Sequence, residues 1–318
     1  MCMQKLRGQK KKAVSPINAA LKRASVTARL KAAGKAVAKH KMLLLFLLPS
    51  FAGLMVFFVL PFLDVVRRSF TQSMGNTWVG LENYQTVLSN QAFQLAAGNT
   101  ALFIFISIPL LVASSLLVAL FIRKQRRFKD LFKAGFLLPL VIPVAAVALL
   151  WQLLFDYSGI LNGIFTSLGF SAQSWLDSPL AFWVLVGGYL WRNLGFSVVL
   201  WLVALEGISP SLYEAAQLDG AGRWAMFKRI TLPLVSPACF TIVVLALINS
   251  FKVFREAFLV AGSYPHESMY TVQHLFNNWF AALSFDKISA GATLLSIVLF
   301  VLILLLSKAW DLNEGRSQ

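Results

Sequence analysis

Long apolar stretches, separated by short polar segments, form the main pattern along this chain. Five of them, each about 20 residues or longer, contain no Lys, Arg, Asp or Glu, and a sixth, at 180–205, contains only Arg192. Since a helix needs about 20 mainly apolar residues to cross a bilayer, the pattern predicts an all-α polytopic membrane protein. The six transmembrane helices are predicted near residues 43–65, 96–122, 134–155, 180–205, 237–258 and 289–308.

Composition supports a membrane protein and excludes several classes of protein and binding site. The chain is 58% hydrophobic and only 13% charged, whereas soluble domains contain about 25% charged residues. An ordinary cytosolic enzyme and a disordered or collagen-like chain are therefore excluded. The sequence has no metal-type Cys/His spacing and no GxxxxGK[ST] phosphate loop. We expect no metal, no cofactor, no catalytic residue and no ATP hydrolysis by the chain itself. Its three histidines, His40, His266 and His274, lie outside the predicted spans.

Basic residues are concentrated in two segments, which predicts how the chain crosses the membrane. The first 41 residues contain twelve Lys and Arg without an acid, 123–133 contains six, and 156–179 contains none. Cytoplasmic loops carry the excess of Lys and Arg. Both termini and the loops at 123–133 and 206–236 are therefore predicted to be cytoplasmic. Anionic lipid explains the net charge of +16 better than nucleic acid does.

The predicted organisation has three parts. Residues 1–41 form a basic cytoplasmic tail, 42–308 form the six-helix transmembrane domain, and 309–318 form a cytoplasmic C-terminal tail. Within the first part, 17–38 mixes Ala, Leu and Val with Lys and Arg. Two alternatives stay open for it, an amphipathic helix on the membrane surface and a disordered basic tail.

The loop at 206–236, between the fourth and fifth spans, carries the most specific local signals. Ser211 and Glu214 have the spacing of a capping box, and Ser209 followed by Pro210 offers an alternative helix start. Asp219-Gly220 and then Gly222 are predicted to end this helix, with Gly220 at a positive φ. On physical grounds alone, the loop could equally be a connector that packs on the cytoplasmic side.

The same loop carries an extended motif. Its residues match the pattern EAA---G---------I-LP at every position, at Glu214, Ala215, Ala216, Gly220, Ile230, Leu232 and Pro233. This resembles the signature of bacterial ABC importer permeases, and the full string EAAQLDGAGRWAMFKRITLP is similar to that of the carbohydrate branch, the relatives of the maltose and glycerol-phosphate permeases. The resemblance extends from Phe62 to Ser307, including GLENY at 80–84 and NG at 162–163.

The resemblance implies a type I ABC importer permease fold in a bacterial cytoplasmic membrane. It implies sugar uptake by ATP-driven alternating access, with no bond made or broken. The implied partners are a second permease, two copies of an ATPase subunit that binds the ATP, and an extracytoplasmic sugar-binding protein. The loop would dock into the ATPase through Glu214, Ala215, Ala216, Asp219 and Gly220.

Polar residues inside apolar spans are costly and mark candidate functional positions. In the fourth span, Tyr189, Asn193 and Phe196 recur at helical spacing and share a face, and Asn249 and Ser250 interrupt the fifth span. Aromatic rings suit the apolar faces of a sugar, and amides and hydroxyls suit its hydroxyl groups. By resemblance, these five positions match places that line the transport cavity. The alternative is interhelical polar packing.

Charged residues near these positions leave several interpretations open. Arg192 could pair with Glu256, pair with Asp156, or reach outward. Lys252, Arg255 and Glu256 are interpreted as an outer-rim cluster that could meet the substrate-delivering protein.

Two other functions are weighed against sugar import. An ion-coupled secondary transporter or a membrane enzyme normally needs carboxylates or histidines within the membrane, and the acids here fall at span ends or in loops. Another solute, such as a phosphorylated polyol or a peptide, stays open. An anionic solute would require more intramembrane bases than the single Arg192 that the pattern predicts.

Overall fold

The structure is a computed structural model that describes residues 41–72, 77–124 and 129–314. The predictions for the basic tail up to residue 40, and the bases at 126 and 127, lie outside the described residues. The chain divides into two compact units, Met1–Asp64 and Val65–Gln318.

Within the described residues, six helices are long and apolar enough to cross a membrane, as the sequence predicts. In chain order, these six spans are Phe46–Arg68, Gln91–Lys124, Val144–Ser167, Ala181–Glu206, Ser236–Ala261 and Phe285–Lys308. The only β pairing within the described part of the chain is an isolated antiparallel bridge between Thr71 and Trp78. The all-α, six-span fold class is confirmed.

Proline positions explain local widening of two helices. The helical stretch that contains the first span consists of Lys41–Leu54, a π-helical turn Met55–Val59 and Leu60–Arg68. The π-helical turn ends two residues before Pro61. Proline has no N–H and its ring clashes with the carbonyl four residues earlier, so the preceding turn widens. A second π-helical turn, Phe227–Thr231, likewise ends two residues before Pro233.

The second and fourth spans form the centre of the larger unit. Phe103 and Tyr189 meet edge to face with ring centroids 5.3 Å apart. Further along the same two helices, the buried Trp201 donates a hydrogen bond from Nε1 to Ser115 Oγ at 3.0 Å. The two spans thus bury large aromatic side chains between them and provide a rigid wall for the elements that pack beside them.

The chain breaks just before the third span, at 142–143, which corrects the prediction of one continuous helix at 134–155. Helix Lys129–Val141 ends before Pro143, and the chain continues as Val144–Phe155 and Ile160–Ser167. The residue before a proline is disfavoured in helical conformation, so Ile142 and Pro143 form the break. Gly195 accommodates the first segment closely, because a methyl group on it would lie 1.7 Å from the Phe136 carbonyl oxygen.

Shorter helices complete the unit. Helix Glu82–Ser89 precedes the second span, and Val272–Ala281 lies between the fifth and sixth spans, after a 3₁₀ turn at Glu267–Met269. Thr271 and His274 form a capping box at the start of Val272–Ala281. Burial lowers the pKa of His274 to about 4, so the ring is neutral at neutral pH and serves as the capping acceptor. The last helix, Phe285–Glu314, contains the sixth span.

Candidate functional site

A cavity of about 260 Å³ lies between the third, fourth and fifth spans. Its walls combine two aromatic rings, Trp151 and Tyr189, with the side-chain amides of Asn193 and Asn249. Small-molecule pockets measure about 300–1,000 Å³, so this volume is close to the lower limit. The mixture of aromatic and amide groups in a confined space suits a small polar solute such as one sugar unit.

The structure brings together three of the five substrate residues that the sequence predicts. Tyr189, Asn193 and Asn249 line the cavity, whereas Phe196 and Ser250 do not. Phe196 shares the helix face of Tyr189, but seven residues place it about 10 Å further along the axis. Ser250 is buried, and its hydroxyl donates to the Leu247 carbonyl oxygen at 2.7 Å. Its polarity is therefore satisfied within its own helix.

Hydrogen bonds hold the two polar residues of the fourth span in place. The Tyr189 hydroxyl donates to the Ala246 carbonyl oxygen at 2.7 Å, which joins the fourth span to the fifth. Asn193 Nδ2 donates to the Tyr189 carbonyl oxygen at 2.8 Å. Both side chains are buried, at 1% and 8% exposure. The cavity wall is therefore fixed before any solute enters.

An ion pair crosses the cavity between the fourth and fifth spans. Arg192 Nη1 lies 3.1 Å from Glu256 Oε1, which decides among the three open interpretations of Arg192. Glu256 lies in the last turns of the fifth span, which ends at Ala261, and its side chain is only 5% exposed. Among the described residues, its second oxygen, Oε2, has no hydrogen-bond partner. A buried carboxylate in an apolar span depends on this pairing.

Lys252 and Arg255, which the sequence analysis interprets as part of an outer-rim cluster, also line the cavity. Lys252 Nζ donates to Asn249 Oδ1 at 2.9 Å. Residues 249, 252, 253 and 256 repeat at intervals of three, one and three, so they share one helix face. This spacing is visible in the sequence and could have placed Lys252 on the face of Asn249 and Glu256.

Trp151 is a cavity residue that sequence reasoning missed. Its indole ring lies against the backbone of the fourth span at Gly188, where an added methyl group would lie 1.5 Å from Trp151 Cζ2. The signal available in the sequence is the adjacent pair Gly187-Gly188 in the fourth span. The pair alone does not show which aromatic residue would fill the space.

The loop between the fourth and fifth spans begins with a short helix, Pro210–Leu218. Ser209 is its N-cap residue and Pro210 occupies the first turn, so the alternative start is confirmed and the capping box of Ser211 with Glu214 is wrong. Proline at the first helical position fixes its own φ and lacks an N–H that would be unpaired there. The Ser209 and Ser211 hydroxyls instead hydrogen bond with each other at 2.8 Å.

The end of this helix matches the prediction. Gly220 has a φ of +78°, and its N–H donates to the Gln217 carbonyl oxygen at 3.0 Å. The next N–H, of Ala221, donates to the Ala216 carbonyl oxygen at 2.9 Å. These two bonds form a Schellman motif, which satisfies carbonyl groups that the helix end leaves free. Gly222 does not end this helix but is the N-cap residue of the next, Arg223–Met226.

The five predicted docking residues are accessible, and a neighbouring residue of the same helix attaches them to the rest of the chain. Glu214, Ala215, Asp219 and Gly220 are exposed, and Ala216 is half-buried. The anchor is Tyr213, whose hydroxyl hydrogen bonds with Thr231 Oγ1 at 2.9 Å. Arg123, at the end of the second span, lies over the Tyr213 ring at 5.3 Å. Sequence reasoning missed this contact because it joins residues 90 positions apart.

The family comparison decides what kind of protein carries this cavity and loop. Residues 112–312 match the model of the binding-protein-dependent transport system inner membrane component. The chain belongs to this family. It is therefore a membrane-embedded transport permease, which is not an enzyme family, and the resemblance recognised from the EAA pattern is confirmed.

Relatives cover most of the chain. It is 32% identical over 278 residues to the trehalose/maltose transport system permease protein MalF of Thermococcus litoralis, covering 86% of this chain and 92% of that protein. It is 29% identical to the arabinooligosaccharides transport system permease protein AraP of Bacillus subtilis, covering 83% and 85%. A bacterial ABC transporter involved in alginate import has a chain of the same fold, with a TM-score of 0.77 at 24% identity over 87% of this chain and 97% of that one.

Proposed function

We propose that this chain is one permease subunit of a heterodimeric ABC importer that carries a sugar or oligosaccharide into the cell. The observation that supports the sugar most directly is the cavity, with Trp151 and Tyr189 beside the amides of Asn193 and Asn249. The names of the relatives from Thermococcus litoralis and Bacillus subtilis, a trehalose/maltose and an arabinooligosaccharide permease, agree with this chemistry.

In the proposed mechanism, transport is a change of access and not a reaction. An extracytoplasmic binding protein delivers the sugar, and a second permease completes the pathway. Two ATPase subunits bind the ATP and close against each other, and this chain needs no cofactor. Closure moves the exposed helix Pro210–Leu218. The Tyr213 contacts with Arg123 and Thr231 pass this movement to the second span and to the segment before the fifth.

The proposed orientation places both termini and the helix Pro210–Leu218 in the cytoplasm. Two exposed positions on opposite sides test it, Ser171 and Lys124. In a background with Cys2 and Cys239 replaced by serine, an impermeant thiol reagent applied to intact cells should label Ser171→Cys and spare Lys124→Cys. The opposite labelling pattern would reverse the orientation.

Sugar uptake with Asn193 altered tests the cavity. Asn193→Ala removes a cavity amide, and a lost hydrogen bond costs about 0.5–1.5 kcal/mol, so the KM for uptake should rise about three- to tenfold. Ser250→Ala is the matched control, because its hydroxyl is bonded to its own helix outside the cavity. Unchanged uptake kinetics in Asn193→Ala, with normal assembly of the complex, would reject the assignment of the cavity to sugar.

A further inference from the structure

The charges that line the cavity are unbalanced. Arg192, Lys252 and Arg255 contribute three bases, and Glu256 is the one acid among the lining residues. Arg192 and Glu256 lie 3.1 Å apart and neutralise each other. Lys252 and Arg255 therefore leave an excess of two positive charges in a space that two aromatic rings and two amides also line.

The two bases keep donors available for a solute. Lys252 uses one N–H on Asn249 Oδ1, at 2.9 Å, and an ammonium group has three donors. The hydrogen bond turns the ammonium toward the amide that itself lines the cavity. Arg255 is exposed to the cavity, and a guanidinium fork matches the two oxygens of a carboxylate. The pair thus offers a point charge and a planar fork.

We propose that the saccharide carried through this cavity is acidic, a sugar bearing a carboxylate such as a uronic acid. This inference rests on the proposed saccharide import. A cleft lined by one sign of charge between low-dielectric walls concentrates solutes of the opposite sign. Lys252 and Arg255 bind the carboxylate, Trp151 covers the ring, and Asn193 and Asn249 contact hydroxyl groups. A neutral sugar offers these two bases no counter-charge.

A rival role for the same bases is contact with the binding protein that delivers the sugar. The two roles differ in what each base acts on. A base that holds the solute affects acidic sugars and spares neutral ones. A base that holds the binding protein affects every sugar alike, through the stimulation of ATP hydrolysis.

The test uses cells that express the whole importer and pairs of labelled disaccharides with identical linkages. Each pair contains a uronate and its neutral counterpart: digalacturonate with digalactose, dimannuronate with dimannose, and diglucuronate with diglucose. We expect the wild type to take up the acidic member of at least one pair about tenfold faster or more. Lys252→Gln combined with Arg255→Gln should lower that uptake about tenfold or more, since bonds to charged groups are the stronger class.

Controls separate charge from structure. Lys252→Arg keeps the charge and should keep acidic uptake. Lys287→Gln removes a base that does not line the cavity and should have no effect. The affinity of the binding protein for the acidic disaccharide should be the same with every variant.

Three results would overturn the proposal. The wild type could prefer the neutral member of each pair, or the double variant could take up the acidic disaccharide at the wild-type rate. The double variant could also lose stimulated ATP hydrolysis with neutral and acidic sugars alike, which would assign the bases to the binding protein. Absence of uptake of all six disaccharides would contradict saccharide import itself, whereas a neutral preference leaves saccharide import standing.

Discussion

The cavity and the loop helix Pro210–Leu218 are built by opposite means. The cavity depends on contacts between spans, such as Tyr189 with Ala246 and Arg192 with Glu256, and the side chains of Tyr189, Asn193 and Glu256 in its wall are buried. The loop helix depends on local signals, a proline at its start and a left-handed glycine after its end, and it is exposed. Solute selection needs fixed, desolvated groups, whereas docking to another subunit needs an accessible surface of defined shape.

This difference predicts where substitutions act. A change in the cavity alters the fit to the solute or the packing of the spans, and a change in the loop alters coupling to ATP hydrolysis without altering solute affinity.

The largest effect is expected from breaking the ion pair in the cavity. Glu256→Gln leaves Arg192 without its counter-charge, and removal of one partner of a buried pair costs about 3–5 kcal/mol. Because the side chain of Arg192 is 23% exposed, the loss should be at the lower end of this range. We expect the free energy of unfolding of the purified complex to fall by about 3 kcal/mol. Denaturant unfolding measures this change.

Two further variants make the ion-pair prediction specific. Replacing both Arg192 and Glu256 by leucine removes the unpaired charge and should recover most of the lost stability. Glu267→Gln alters an exposed carboxylate outside the cavity and should change little. Equal stability of Glu256→Gln and the wild type would show that the pair does not hold the spans together.

A smaller effect is expected where the third span meets the fourth. Gly188→Ala places a methyl group 1.5 Å from the Trp151 ring, and such overpacking costs about 1–3 kcal/mol. Because Trp151 lines the cavity, its displacement should also raise the KM for sugar uptake. The control is Gly187→Ala, where the added methyl group meets nothing within 4 Å. Identical thermal midpoints and uptake kinetics for the two variants would refute this packing account.

The smallest effect is expected at the loop anchor. Tyr213→Phe removes the hydroxyl that bonds with Thr231 and with Arg123 Nη1 but retains the ring under Arg123, so about 0.5–1.5 kcal/mol of local stability should be lost per hydrogen bond. ATP hydrolysis stimulated by the sugar-loaded binding protein should fall several-fold at most, and the KM for sugar uptake should be unchanged. Tyr157→Phe, at an exposed tyrosine outside the loop, is the control. A change in KM would contradict the separation of the two regions.

Local chemistry explains which parts of the fold and the site were predictable. Six apolar runs predict the spans because length and polarity suffice, but the break at Pro143 was missed even though proline predicts it. At the loop, two helix starts competed, and Pro210 at the first helical position decided between them. A positive φ at Gly220 was predictable because few other residues adopt it.

Contacts between distant residues explain what was not predictable. Tyr189, Asn193 and Asn249 were found because polar residues in spans are conspicuous. Ser250 was conspicuous for the same reason, yet its hydroxyl is satisfied by Leu247, which sequence polarity does not show. Trp151 packs against Gly188, 37 positions away, and Tyr213 contacts Arg123, 90 positions away. No periodicity within one helix reveals such pairs.

The separation of the cavity from the loop is tested most directly by ATP hydrolysis and uptake in the reconstituted importer. Gly220→Val should reduce uptake and the ATP hydrolysis that the sugar-loaded binding protein stimulates, both together. A branched side chain at the left-handed φ of +78° costs about 1 kcal/mol or more, and relief of this strain should displace the helix end. Gly222→Val, at a φ of −69°, is the matched control and should retain both activities. Asn193→Ala should raise the KM for sugar and retain maximal hydrolysis. Full stimulated hydrolysis and transport in Gly220→Val would contradict the account, since the loop would then be only a connector.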